Sequence, residues 1–244
     1  MSRVDDQRRA ELARNLRAVT DRIAAACART GRDPGEVTLV AVTKTWPAAD
    51  VVRLAELGVF DIGENRDQEA APKAAEVAAA GAGVRWHFVG QLQRNKCRSV
   101  VTYADMVHSV DGERLARALA DAVERHRDRR LDVLVQVSID ADPARGGAFD
   151  GAPDPDRELD RVVAALVAAD GLRLCGVMAV APLTWEAARA YEALAGVAAH
   201  LRAEHGSATV ISAGMSGDIE EAIDYGATHV RIGSALLGKR PALM

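Results

Sequence analysis

Aromatic side chains are scarce in this chain, 4% of its 244 residues, although the hydrophobic share reaches 49%. Any core must therefore be built from Ala, Val, Leu and Ile. Cysteine is equally sparse. Cys27, Cys97 and Cys175 are scattered and odd in number, without CxxC or Cys/His spacing, so neither a disulfide framework nor a zinc site is indicated. Positive charge is not in excess. The net charge of -4 argues against a nucleic-acid partner, and the basic cluster Arg125 to Arg130 reads as a solvated helix end. No apolar run approaches the length of a bilayer span, and the first residues are charged and helical rather than an apolar signal segment. The expectation is a cytoplasmic protein with no membrane partner.

What the chain has is alternation. Residues 5–30 place Leu12, Leu16, Val19, Ile23 and Cys27 at helical spacing with Arg and Asp between them. Short apolar runs follow at 37–43, 59–63, 85–90, 106–110, 132–139, 172–180, 208–212 and 229–233. Helical stretches separate them at 47–57, 64–80, 112–127, 156–169, 184–204 and 216–225, with a shorter connection at 94–104. Eight strands with helices between them are the arithmetic of an α/β fold, a (β/α)8 TIM barrel. The competing architecture, a doubly wound open sheet, lacks its Gly-rich turn after the first strand. No linker divides the chain, so a single domain is expected over 1–244, with an extra N-terminal helix and the barrel over about 37–240. Residues 140–156, rich in Gly, Pro and Asp, form the one long loop. It follows the fifth strand on the C-terminal face, and loops of that length are usually functional or mobile.

In a barrel, chemistry sits where strands end. The first strand ends at Lys44. A lysine there either leaves the sheet for water or is held where burial lowers its amine pKa and makes it a nucleophile toward carbonyls. The strands at 208–212 and 229–233 run into Gly214-Met215-Ser216-Gly217 and Gly233-Ser234. Glycine admits an anion to the backbone, and the Ser216 and Ser234 hydroxyls add donors, as a phosphate site after strands seven and eight would require. The same residues also serve ordinary turns and N-caps. Arg231 lies within an apolar strand, on the face it shares with Gly233. It is either ion-paired, with Asp218 or Glu64, or aimed at a ligand heteroatom. Asn65 suits an N-cap or a ligand contact. His87, with no carboxylate partner apparent, reads as a core histidine, as do His108 and His229. Met178 and Met215 read as packing residues.

Six segments together carry a resemblance: Ala41–Thr45 (AVTKT), Asp61–Asn65 (DIGEN), Trp86–Lys96 (WHFVGQLQRNK), Gly176–Ala179 (GVMA), Gly214–Asp218 (GMSGD) and Val230–Ser234 (VRIGS). In this order, from about Val37 to Arg240, the chain resembles the pyridoxal-phosphate homeostasis proteins. That family has the alanine-racemase N-terminal barrel, fold type III of the pyridoxal-phosphate proteins. The resemblance implies that Lys44 holds pyridoxal 5′-phosphate covalently as a Schiff base. It further implies that Ser216, Gly233 and Ser234 bind the phosphate, that Arg231 faces the pyridine nitrogen, and that Asn65 and Met215 line the pocket. There are departures. Ala213 stands where the family often has Met, Leu237-Gly238 where it has Phe-Gly, and Arg145 where a lysine often precedes the glycine. That lysine's role transfers as a charge only. The stretch 147–156 is also longer than usual.

An arginine at the pyridine nitrogen keeps it unprotonated and weakens the ring as an electron sink, which disfavours transamination. Racemisation needs a second base, which in racemases with this barrel is a tyrosine from a further C-terminal domain. The chain ends soon after Gly233, and Tyr103, Tyr191 and Tyr225 read as helix residues away from the mouth. The first expectation is therefore a non-catalytic, monomeric carrier that buffers the cofactor or passes it to pyridoxal-phosphate-dependent apoenzymes. A weak amino-acid racemase, or a cofactor-free barrel for another phosphorylated metabolite, are the alternatives.

Overall fold

The structure, a computed structural model, describes residues 3–238; Lys239 and Arg240, expected to close the barrel segment, lie outside them. Helix α1 (Arg3–Thr30) buries Leu12, Val19, Ile23, Ala26 and Cys27 as the spacing requires. Gly31 follows at φ 68°, a left-handed conformation suited to the end of a helix. The strands are β1 (Thr38–Val42), β2 (Asp61–Glu64), β3 (Arg85–Phe88), β4 (Met106–Val110), β5 (Leu131–Gln136), β6 (Leu172–Met178), β7 (Val210–Ser212) and β8 (His229–Ile232). They close into a parallel barrel in sequence order. Helices α2 (Ala48–Glu56), α3 (Asp67–Ala79), α4 (Cys97–Tyr103), α5 (Glu113–His126), α6 (Leu159–Val167), α7 (Ala187–Glu204) and α8 (Ile219–Asp224) connect them. A last turn, α9 (Ser234–Leu237), follows β8 and was not expected from the sequence. Four residues give too short a periodicity to register.

Two faces of the barrel wall are distinct. Ala41, Ile62, Val230 and Ile232 pack outward with Leu12, Val51 and Leu54 beneath the helices. Their neighbours in sequence face inward. A Cβ on Gly63 would lie 3.1–3.2 Å from the Val40 and Val42 side chains, so these three share the interior. The lower interior is apolar, with Met106, Leu134, Cys175 and Met178. A polar column stands beside it, as described below.

The 140–156 loop is tied down. Just past the end of β5, Ala148 bridges to Val137 and Phe149 to Glu158, each in parallel. Arg157 holds the loop by donating to the carbonyls of Pro143, at 2.8 Å, and of Arg145 and Gly147. Arg145 itself is paired with Asp140 at 2.7 Å and donates to the Val180 carbonyl at 2.8 Å, so its charge joins the loops after β5 and β6. Among the described residues no helix is long and apolar enough to cross a membrane.

Candidate functional site

Lys44 lies two residues beyond Val42, half-buried, in the turn that leaves β1. Register places its neighbours. Val42 pairs with Gly63 on β2, so Asn65, two residues past Gly63, stands beside Lys44 on one side. Ala41 pairs with Ile232 on β8, which puts Gly233 and Ser234 on the other side. A Cβ on Gly233 would sit 3.5 Å from the Val42 carbonyl oxygen. The barrel thus gathers Lys44, Asn65, Gly233 and Ser234 on three adjacent strand ends.

The loop after β7 completes this corner. Gly214 adopts φ 89°, and a Cβ there would approach the Ala222 Cβ to 2.6 Å, so only glycine makes this turn without strain. The loop carries Ser216 to the start of α9, where the Ser234 hydroxyl donates to the Ser216 hydroxyl at 3.3 Å and the Ala235 amide donates to it at 3.2 Å. The amides of Ser216 and Gly217 enter no backbone hydrogen bond among the described residues. Two hydroxyls and free amides on small residues fit a phosphate dianion; α9, a single turn, adds little dipole of its own. Met215 stands at the lip with 40% of its surface exposed, so unlike Met178 it does not pack into the core.

Arg231 is 6% exposed and has no ion-pair partner among the described residues, so of its two readings the pairing with Asp218 or Glu64 is not formed: Glu64 pairs with Lys73 and Asp218 accepts from Tyr191. Its guanidinium donates instead to the Ser212 hydroxyl at 2.7 Å and the Ala179 carbonyl at 2.9 Å. Burial lowers its pKa to about 10, with nearby Asp218 opposing, so it stays charged at neutral pH. Two bonds leave further donors of the five on a guanidinium for a ligand heteroatom.

Below Arg231 the polar column continues. Ser212 contacts His108 Nδ1 at 2.9 Å, His108 Nε2 contacts His87 Nδ1 at 2.9 Å, and His87 Nε2 contacts Asp61 Oδ1 at 2.9 Å. His87 therefore has the carboxylate partner that the sequence did not reveal. Burial, then the charges of His87 and Arg231, hold the His108 pKa well below its ordinary range. His229, near both histidine rings, is lowered to about 4, first by burial. One consistent proton arrangement runs the length of the column: Arg231 donates to Ser212, Ser212 to His108, His108 to His87, and His87 to Asp61. The column orients Arg231 from below.

Asn65 is half-buried and is not the N-cap of α3, a position taken by Arg66. It borders a cavity of about 180 Å³ shared with Gln91, Gln93 and Lys96. The β3 loop presses against it, since a Cβ on Gly90 would fall 2.2 Å from the Asn65 carbonyl oxygen.

Sequence reasoning missed a second group behind Lys44. Lys73 on α3 is 6% exposed and donates to Glu64 Oε1 at 2.6 Å, Glu69 Oε1 at 2.9 Å and the Thr43 carbonyl at 2.9 Å. Glu69 and Lys73 are four apart on one helix face. That pair, next to an acidic residue at a buried strand end, was the available signal.

A strand-end lysine, two hydroxyls with small-residue amides on the neighbouring strand ends and a buried arginine beneath them stand together at the mouth of one (β/α)8 barrel. Residues 14–241 match the family "Alanine racemase, N-terminal domain". A pyridoxal phosphate homeostasis protein from Mycobacterium tuberculosis is 43% identical over 246 residues, covering 96% of this chain and 94% of the relative. The structure of PipY from Synechococcus elongatus with pyridoxal phosphate bound superposes with a TM-score of 0.72 at 30% identity, covering 90% of this chain and all of that one. A Bifidobacterium adolescentis protein superposes with a TM-score of 0.85 at 31% identity over 95% of this chain and 96% of its own. The chain belongs to the pyridoxal phosphate homeostasis proteins, on the alanine racemase N-terminal domain.

Proposed function

We propose that this protein binds pyridoxal 5′-phosphate reversibly, with the aldehyde on Lys44, and serves cofactor homeostasis by buffering it or passing it to apoenzymes. The carrying observation is the adjacency of Lys44 to the Gly233-Ser234 and Ser216 cradle. Relatives named for this role, and PipY with the cofactor bound, support it. Bound cofactor supplies an aldehyde that condenses with a primary amine, releasing one water. The chain's residues do the rest: Lys44 provides the amine, Ser216 and Ser234 hold the phosphate, Arg231 addresses the ring nitrogen, and Asn65 and Met215 border the ring. A buried, charged Arg231 keeps that nitrogen unprotonated, which favours holding over turnover.

Borohydride treatment of the loaded protein should fix the cofactor to a peptide containing Lys44. Lys44→Ala should abolish the label while leaving some noncovalent retention through the phosphate. A protein that takes no label refutes the assignment. Incubation with L-alanine followed by chiral analysis tests the carrier role: turnover well above that of free cofactor makes the protein a racemase.

A further inference from the structure

We propose that Glu69 and Lys73 are positioning residues for Lys44, fixing from behind the barrel wall the direction in which its side chain leaves β1. The inference rests on the assignment of Lys44 as the cofactor's amine.

Ala41 and Ile62 face outward, so two residues further on Thr43 and Glu64 do too, under α3. There Glu64 is 1% exposed, accepts from the Thr43 hydroxyl at 2.6 Å and pairs with Lys73. All three donors of the Lys73 ammonium are used, and one is spent on the Thr43 carbonyl. That carbonyl belongs to the peptide unit entering Lys44. The unit leaving Lys44 is held as well, because the Thr45 amide donates to the Glu69 carboxylate. Helix α3 therefore grips both peptide groups that flank Lys44.

Thr45 shows the force of this grip. It sits at φ 70°, a left-handed conformation that a β-branched residue rarely adopts. Such strain costs about 1–3 kcal/mol and persists only where surrounding contacts impose it. Stability alone explains the cluster poorly. A buried ion pair is a weak stabiliser, and Glu64 Oε2 is buried without a hydrogen-bond partner among the described residues. What the contacts share is Lys44: they converge on the residues either side of it.

The test uses the full chain in four forms: wild type, Glu69→Ala, Glu69→Gln and Lys73→Met. Each is measured for borohydride-trapped label on Lys44 with pyridoxal 5′-phosphate, and for the Kd of pyridoxine 5′-phosphate, which has the phosphate and ring but no aldehyde. Glu69→Ala should lower the rate of covalent capture by about tenfold to a hundredfold, as a misplaced reacting group does, with the pyridoxine 5′-phosphate Kd unchanged. Glu69→Gln keeps an acceptor for the Thr45 amide and should retain most of the capture rate. Lys73→Met should follow Glu69→Ala; if it does not fold, the half-buried Glu69 pair decides the matter. Equal capture by wild type and Glu69→Ala, or a parallel loss of pyridoxine 5′-phosphate affinity, overturns the proposal. A wild type that carries no label on Lys44 overturns the assignment on which it rests.

Discussion

Acid should loosen this barrel before any carboxylate is protonated in the ordinary range. His229 lies in the barrel wall with its pKa lowered to about 4 from 6.5, first by burial, then by His87, with Asp61 opposing and Arg85 and Arg231 reinforcing. The unfolded chain therefore binds this proton more readily than the folded one. Its contribution to stability is present above pH 6.5 and is lost as pH falls toward 4. Between pH 7 and pH 5 the loss is about 2 kcal/mol for His229 alone. His108, in direct contact with His87, acts in the same direction. Glu64 and Asp111 act oppositely, because burial raises their pKa values and acidification then favours the fold. Asp61 is inert in this window: burial works against its ionised form, but the His87 hydrogen bond leaves its pKa below the ordinary value. A difference measurement cancels these background groups. Urea unfolding at pH 7 and pH 5 should show His229→Gln losing about 2 kcal/mol less than wild type. The amide can keep the Thr228 hydroxyl contact, which is 3.0 Å in the native protein. Identical pH slopes in the two proteins would refute the argument, since the effect requires this one imidazole to be held neutral.

Ser212→Ala removes one of the two acceptors of Arg231, leaving the Ala179 carbonyl, and breaks the column at His108. It should cost about 1–3 kcal/mol in urea unfolding, as a buried charged donor left unpaired does. Gly214→Ala forces a side chain into φ 89° and against Ala222. A loss of about 2–4 kcal/mol is expected, and Ala222→Gly in addition should recover only the steric part, as read by thermal unfolding. Arg22→Ala cuts the bond from α1 to the Ser216 carbonyl, 2.9 Å long, and the ion pair with Glu220. Release of pyridoxine 5′-phosphate should then quicken about fivefold, corresponding to roughly 1 kcal/mol, as followed by stopped-flow fluorescence.

The strands and the mouth residues were legible because both depend on local pattern. Apolar runs marked the wall, and a lysine ending one run, or a Gly-Ser pair ending another, announced itself within a few residues. The polar column was not legible. The inward parity of Asp61, His87, His108 and Ser212 can be read strand by strand, but their mutual contact needs the stagger of a closed barrel, which no single strand encodes. Lys73 was hidden for a different reason. On an amphipathic helix a lysine is ordinarily a solvated residue, and only the burial of Glu64 opposite it turns it inward. Arg157 was similar: a charged residue in a Gly/Pro/Asp segment, which in the structure converges loop carbonyls onto one guanidinium and orders a stretch whose composition suggested function or mobility.

The tyrosines bear on whether holding can become turnover. Proton abstraction needs a base with a pKa near the working pH and within reach of the substrate. Tyr191, on α7, donates its hydroxyl to Asp218, whose other oxygen accepts the Met215 amide at 2.6 Å. Tyr103, on α4, contacts Asp67 at 3.4 Å. Burial, and then the facing carboxylate, raises the pKa of both hydroxyls far above neutrality. Each is thus a poor base engaged in structure. For Tyr191 the engagement has a function of its own. Through Asp218 it braces the loop that carries Ser216, so α7 supports the proposed phosphate cradle from one side as α1 does through Arg22 from the other. Tyr103 and Tyr191 are thus both fixed and protonated, and Tyr191 is committed to the loop that carries Ser216.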